Sequence, residues 1–361
     1  MIPALCLVAA SFAAGAAPPA DTTRQTQNVI LVTLDGFRWQ ELFSGADSTL
    51  LASIADSTAR AKTRAGFWRP DPVARRAALL PWLWSTIPAG GQLFGNRYEG
   101  GAVRVTNGKR FSYPGYNEIL SGFPDDRIDS NDPVPNPNVT VLEWLNRKPA
   151  FAGRVAAFGA WSTFTAIINA PRSGLPVNAG WMPVEGTSPT AQLLNQLQDY
   201  STRTWDEERD DAITWLAAKQ YLVTRTPKVF YLAFGDTDEW AHSGRYDTYL
   251  DMAHRTDAML RDLWEMVQSL PQYRGHTALV IATDHGRGDG PGWTDHGKSV
   301  PEAEFIWIAV MGPDTPARGL RNDVTAGTQS QIAATIAALL GYDYRAAVPG
   351  AGPSLPLGSI R

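Results

Sequence analysis

Five short runs constrain this chain more than any other feature of its sequence. Residues 28–34 read NVILVTL, 154–158 RVAAF, 228–234 KVFYLAF, 277–282 TALVIA and 304–310 EFIWIAV. Each is almost continuously apolar and rich in β-branched or aromatic residues. That is the pattern of a strand covered on both faces, not of one with a face in water. Segments with helical periodicity lie between them, at 139–147, 204–223, 246–270 and 329–340. Strands alternating with helices predict an α/β fold with a largely parallel central sheet and helices on both faces. Residues 50–108 interrupt the rhythm with a helical region at 72–84 and then Gly-rich, strand-like pieces. They are read as a small insertion capping the core.

With 361 residues, 44% of them hydrophobic, the chain can bury a core that needs neither disulfide nor structural metal. The net charge is −4 with acids and bases interspersed, and no basic stripe is present that would suit duplex nucleic acid. Residues 2–14 are apolar but too short to span a membrane, and Ala14-Gly15-Ala16 fits a small-x-small cleavage site. Residues 1–20 are therefore read as a signal peptide, which predicts a periplasmic or secreted protein. Residues 21–361 are read as one catalytic domain. The single cysteine, Cys6, falls in the leader, so the mature chain is expected to use no disulfide, thiolate ligand or cysteine nucleophile. No later run is long and apolar enough for a membrane span. The oligomeric state is not legible.

In parallel α/β sheets, ligands bind beyond the carboxyl ends of the strands. The first run ends at Asp35. The 228–234 run leads into Gly235-Asp236-Thr237-Asp238 and then His242. The 277–282 run leads into Thr283-Asp284-His285-Gly286, and Asp295-His296-Gly297 stands just before the last run. Three of the five histidines thus gather at one rim with acids beside them, whereas His254 and His276 read as packing or surface residues. Carboxylates with neutral imidazoles are the donor set for zinc or a similar divalent ion. Asp238 and His242 are one helical turn apart and share a face, and Asp236 is a rival to Asp238. Ser112 opens a helix at SYPGYNE. Such a serine is either a plain cap or a nucleophile whose helix N-terminus favours a phosphate.

These motifs, in this order, resemble the alkaline phosphatase superfamily, most closely its nucleotide pyrophosphatase/phosphodiesterase-like branch. The resemblance spans Asn28 to the final helix: Leu34-Asp35-Gly36, Ser112 to Tyr116 followed by Ser121-Gly122, Asp238-x-x-x-His242, Asp284-His285-Gly286, and His296. It implies an alkaline phosphatase-like fold and two divalent ions, zinc foremost. Asp35, Asp284 and His285 would hold one ion; Asp238, His242 and His296 would hold the other. Ser112 would bind between the ions as the nucleophile, with Asn131 contacting phosphate. The activity implied is hydrolysis of a small-molecule phosphate mono- or diester through a phosphoserine. Alternatives are a phosphotransferase or mutase, a sulfatase-like member, or a non-catalytic binding protein. The chain departs from its relatives at the nucleophile, where Ser replaces Thr and Gly115-Tyr116 replaces Asn-His. Tyr116 also replaces the Arg of the sulfatase C/S-x-P-x-R motif, which argues against a formylglycine sulfatase. Tyr113 to Tyr116 are expected to set substrate preference. A monoester would call for an added cation, for which Lys109, Arg172, Arg245, Arg287 and Lys298 are candidates.

Overall fold

The computed structural model describes residues 24–358; the leader read at 1–20 lies outside the described residues. Eleven strands form two sheets. In chain order they are β1 (Asn28–Leu34), β2 (Gly91–Phe94), β3 (Val103–Arg104), β4 (Val155–Gly159), β5 (Val177–Ala179), β6 (Val229–Phe234), β7 (Thr277–Ala282), β8 (Phe305–Ile306), β9 (Ile308–Met311), β10 (Gly319–Leu320) and β11 (Gly327–Thr328). The large sheet runs β10-β2-β9-β7-β1-β6-β4-β5, and β11-β3-β8 form a small one. Within the large sheet only β9 runs against its neighbours. The expected architecture is therefore present, with its central strands where the apolar runs place them.

Alternate residues of β1 feed two cores. Ile30, Val32 and Leu34 pack on one face, and Val29 and Leu31 on the other. Both faces are dry, which is why the run is continuous rather than alternating. The first face is covered by the helices Asp211–Arg225 and Tyr246–Ser269, the second by Ser112–Ser121 and Gln331–Leu339. No helix among the described residues is long and apolar enough to cross a membrane.

Three local readings change. The 304–310 run is not one strand: it switches sheets at Trp307, whose indole N–H donates to the Phe37 carbonyl at 2.9 Å. Part of the 50–108 stretch enters the core, since β2 pairs with β9 in the central sheet. The helix expected from residue 204 begins at Asp211, because the preceding segment is held along the end of β4. There Ser162 N–H donates to the Glu207 carbonyl at 2.9 Å and Arg209 N–H to the Ala160 carbonyl at 3.0 Å. The helix Pro189–Tyr200 and the edge strand β5 were not expected.

Candidate active site

Register fixes the site. Leu34 pairs with Phe234 and Thr33 with Ala282, so β1, β6 and β7 end level with one another. The residues just beyond them, Asp35, Gly235 and Asp284, stand together at the rim. Gly36 turns the chain there with φ +54°. A side chain at Gly36 would put its Cβ 2.4 Å from Asp238 Oδ1, so only glycine lets β1 end this close to the neighbouring donors.

One donor cluster joins Asp35, Asp284 and His285. His285 Nε2 lies 3.2 Å from Asp35 Oδ1 and 3.4 Å from Asp284 Oδ2. Those two carboxylate oxygens are buried and have no hydrogen-bond partner among the described residues. The other oxygens are engaged: Asp284 Oδ1 accepts from Gly36 N–H at 3.0 Å, and Asp35 Oδ2 accepts from Tyr116 O–H at 2.7 Å. His285 Nδ1 faces the Gly286 carbonyl at 2.9 Å, which fixes it as the N–H and aims Nε2 at the acids. Burial opposes charge on His285, but Asp284 and Asp35 outweigh it and push the imidazole up to about 9. Burial, then the Asp35 charge, drives Asp284 the other way from an ordinary carboxylate, well upward.

The second cluster joins Asp238, His242 and His296. His242 Nε2 lies 3.1 Å from Asp238 Oδ2 and 3.0 Å from His296 Nε2, and His296 Nε2 lies 3.9 Å from Asp238 Oδ1. Donors around a tetrahedral zinc ion sit roughly 3.3 Å apart, so both clusters have the right span. His285 Nε2 is also 3.7 Å from Asp238 Oδ1, which makes the two clusters contiguous. Burial, then the nearby His285 charge, lowers His296 to about 2. Asp236 points elsewhere: its Oδ2 accepts from Asp211 N–H at 3.3 Å, while Asp211 accepts from the N–H groups of Gly235 and Asp236 at 2.7 and 3.2 Å.

Ser112 Oγ sits 3.4 Å from His285 Nε2, at the meeting point of the clusters. It is the first residue of its helix; Phe111 occupies the cap position and its side chain makes no capping bond. The plain capping role is thus not performed. Asn131 is beside it and exposed, and its Oδ1 accepts from Tyr113 N–H at 3.0 Å. The other departures at the nucleophile have structural reasons. A Cβ at Gly115 would lie 2.4 Å from the Asp284 carbonyl oxygen, so the helix packs here only with glycine. Tyr113 and Tyr116 are buried, donating to the Val134 carbonyl and to Asp35. Neither faces outward, which corrects the expectation that they select substrate.

Two neighbours escaped the sequence reading. Glu208 is buried against Gly235 with Oε1 unpartnered, and burial, then the charges of Asp35 and Glu239, raises its carboxyl well above the ordinary range. Nothing in an apparent helix start marks it. Arg287 was read as a free cation for phosphate. It is instead wholly buried, bonded to Asp238 Oδ1 and to the carbonyls of Trp293 and Thr294. Of the other cations, Arg172 is tied to Glu143 at 2.9 Å, Arg245 to Asp247 at 2.8 Å and Lys109 to Asp126 at 3.6 Å. Lys298 is exposed and has no ion-pair partner among the described residues. His254 and His276 lie apart from the site, their Nδ1 atoms facing the carbonyls of Leu79 and Gln25.

Known proteins share this fold. A phosphonate monoester hydrolase from Silicibacter pomeroyi superposes with a TM-score of 0.55 at 14% identity, over 92% of this chain and 76% of that one. A protein of the alkaline phosphatase superfamily from Vibrio parahaemolyticus gives 0.52 at 13%, over 89% and 68%. A 2,3-bisphosphoglycerate-independent phosphoglycerate mutase from Haloarcula marismortui is 26% identical over 133 residues, 37% of this chain; the match spans only 24% of the mutase. The fold is alkaline phosphatase-like, and proteins of this superfamily depend on divalent metal ions. The family model for type I phosphodiesterase / nucleotide pyrophosphatase matches residues 113–311, from the helix that Ser112 opens through β9. The chain belongs to the type I phosphodiesterase/nucleotide pyrophosphatase family.

Proposed function

We propose that the protein hydrolyses phosphate diesters through a phosphoserine on Ser112. The observation that carries this reading is the position of Ser112 Oγ, free of any capping bond and set where the two donor clusters meet. The residues suit two divalent ions. Asp35 Oδ1 and Asp284 Oδ2 are buried oxygens without partners beside His285 Nε2, and Asp238, His242 and His296 converge at similar spacing. Asp35, Asp284 and His285 would hold one ion and Asp238, His242 and His296 the other, with Ser112 reaching both. When bound, the ions supply positive charge that acidifies the serine hydroxyl and polarises the ester oxygens. Zinc fits this donor set best.

The chain's own groups do the rest. The Ser112–Ser121 helix directs its N-terminus toward the phosphate. The Ser112 oxygen attacks phosphorus, the bond to the first alcohol breaks and that alcohol leaves. Water then cleaves the serine ester, releasing the phosphate monoester with its second alcohol still attached and restoring the Ser112 hydroxyl. Asn131, beside Ser112, has its amide N–H groups available for an equatorial oxygen. The diester preference rests on charge. A monoester dianion asks for an extra cation, and Lys109, Arg172, Arg245 and Arg287 are already paired, which leaves exposed Lys298. The substrate is a small molecule, met outside the cytoplasm if residues 1–20 act as the leader they resemble.

The test compares bis-nitrophenyl phosphate, nitrophenyl phosphate and nitrophenyl sulfate, with zinc and with a chelator, beside Ser112→Ala. Metal-dependent turnover, fastest on the diester and lost in the variant, is expected. Turnover of the sulfate alone would refute the reading.

A further inference from the structure

We propose that Arg287 makes the two ion sites unequal, acting as a resident competitor that leaves the Asp238–His242–His296 site the weaker of the two. This deepens the metallohydrolase reading above and rests on it.

The inner cluster is preset for an ion. Its two facing carboxylate oxygens have no partner, and the Gly286 carbonyl holds His285 with its proton on Nδ1, so Nε2 is the atom that can ligate. The outer cluster is preset against one. Arg287 already bonds Asp238 Oδ1, the one carboxylate among the three residues assigned to this site. Its Nη2 also lies 3.3 Å from His242 Nδ1. A guanidinium can only donate, so it selects the tautomer with Nδ1 as acceptor and the proton on Nε2. Nε2 is the atom that faces Asp238 and His296, and protonated it cannot bind metal. No hydrogen bond fixes the His296 tautomer in compensation, since its Nδ1 is buried without a partner among the described residues.

Arg287 cannot simply withdraw. It is fully buried, and its Nε and Nη2 are anchored on the carbonyls of Trp293 and Thr294. Leaving Asp238 would strand a buried cation without its counter-charge. An ion entering this site must therefore displace a fixed positive charge from its own ligand, whereas the facing oxygens of Asp35 and Asp284 in the inner site have no such resident partner. The inner site fills first, and the outer site fills at higher metal concentration.

The test titrates metal-free full-length protein with zinc against a chromophoric chelator, reading stoichiometry and affinity without any substrate. Wild type is expected to take up two zinc ions with dissociation constants at least about tenfold apart. Arg287→Met should tighten the weaker site by about tenfold or more and leave the tighter one unchanged. Arg287→Lys, which keeps the charge but loses the reach to His242, should tighten it less, and it serves if the methionine variant does not fold. Two sites of equal affinity in wild type would overturn the proposal. So would a weaker site that loosens or stays unchanged in both variants, since that is the behaviour of an arginine that merely supports its neighbours. Absence of zinc uptake by every variant would overturn the metallohydrolase reading along with it.

Discussion

The inner and outer donor clusters touch, yet they are built differently. Asp35, Asp284 and His285 stand directly on the ends of β1 and β7, buried, with every spare hydrogen-bonding atom aimed at Gly36, Tyr116 or Gly286. Asp238 and His242 ride on a seven-residue helix, and His296 on the loop between β7 and β8; the His242 side chain is 40% exposed. Strand ends in a dry sheet are the stiffest positions the fold offers, and loops the most adaptable. The inner cluster therefore arrives nearly assembled, and the outer one depends on what Arg287 allows.

That contrast can be broken or sharpened by substitution. The largest effect belongs to the proposed nucleophile: Ser112→Ala should lower diester turnover by at least about a thousandfold while zinc uptake remains. Next comes Asp284→Asn, which removes a buried oxygen proposed as a ligand, with no neighbour placed to replace it. It should cost at least about a hundredfold in turnover, and added zinc should not restore it. His242→Ala should also cost activity, but excess zinc should recover part of it, because the outer site is half open. Equal rescue of the two variants would erase the distinction. Smaller still is Tyr116→Phe, which takes the hydrogen bond from Asp35 Oδ2. Zinc affinity of the tight site should fall by roughly tenfold with the weak site unaffected.

The metal-free protein should reveal the same contrast through pH. His285 is raised to about 9 in the folded state from an ordinary 6.5, so the stability it contributes is complete below 6.5 and lost as pH rises through 9. His296 is lowered to about 2, so its contribution is complete above 6.5 and lost as pH falls from there. The chelated protein should melt lower toward both limits. His285→Gln should flatten the alkaline limb alone, and His296→Gln the acid limb alone. Calorimetry across pH checks this, and a curve that both variants leave unchanged would contradict it.

How much of this was legible follows the same division. The apolar runs gave the strands and, with them, Asp35, Asp284 and His285, because residues after a buried parallel strand have little choice of place. Asp238 and His242 were readable as a helical pair, and the structure turns Asp236 away to the end of the neighbouring helix. What was not legible depends on contacts remote in sequence. Glu208 sits in a segment pinned along β4, inside what looked like the first turn of a helix. Arg287 follows the D-H-G motif and reads as a loop cation until its burial against Asp238 is seen. The switch of the 304–310 run at Trp307, and the entry of β2 beside it, likewise depend on a partner more than two hundred residues away in sequence.

Both clusters have meaning only if Ser112 carries the phosphoryl group. The most direct measurement is mass spectrometry of the zinc-loaded protein, acid-quenched during turnover of bis-nitrophenyl phosphate. A nitrophenyl phosphate group esterified to the peptide bearing Ser112, absent in the chelated protein, is the predicted result. Steady turnover with that peptide never modified, or undiminished in Ser112→Ala, would contradict the account.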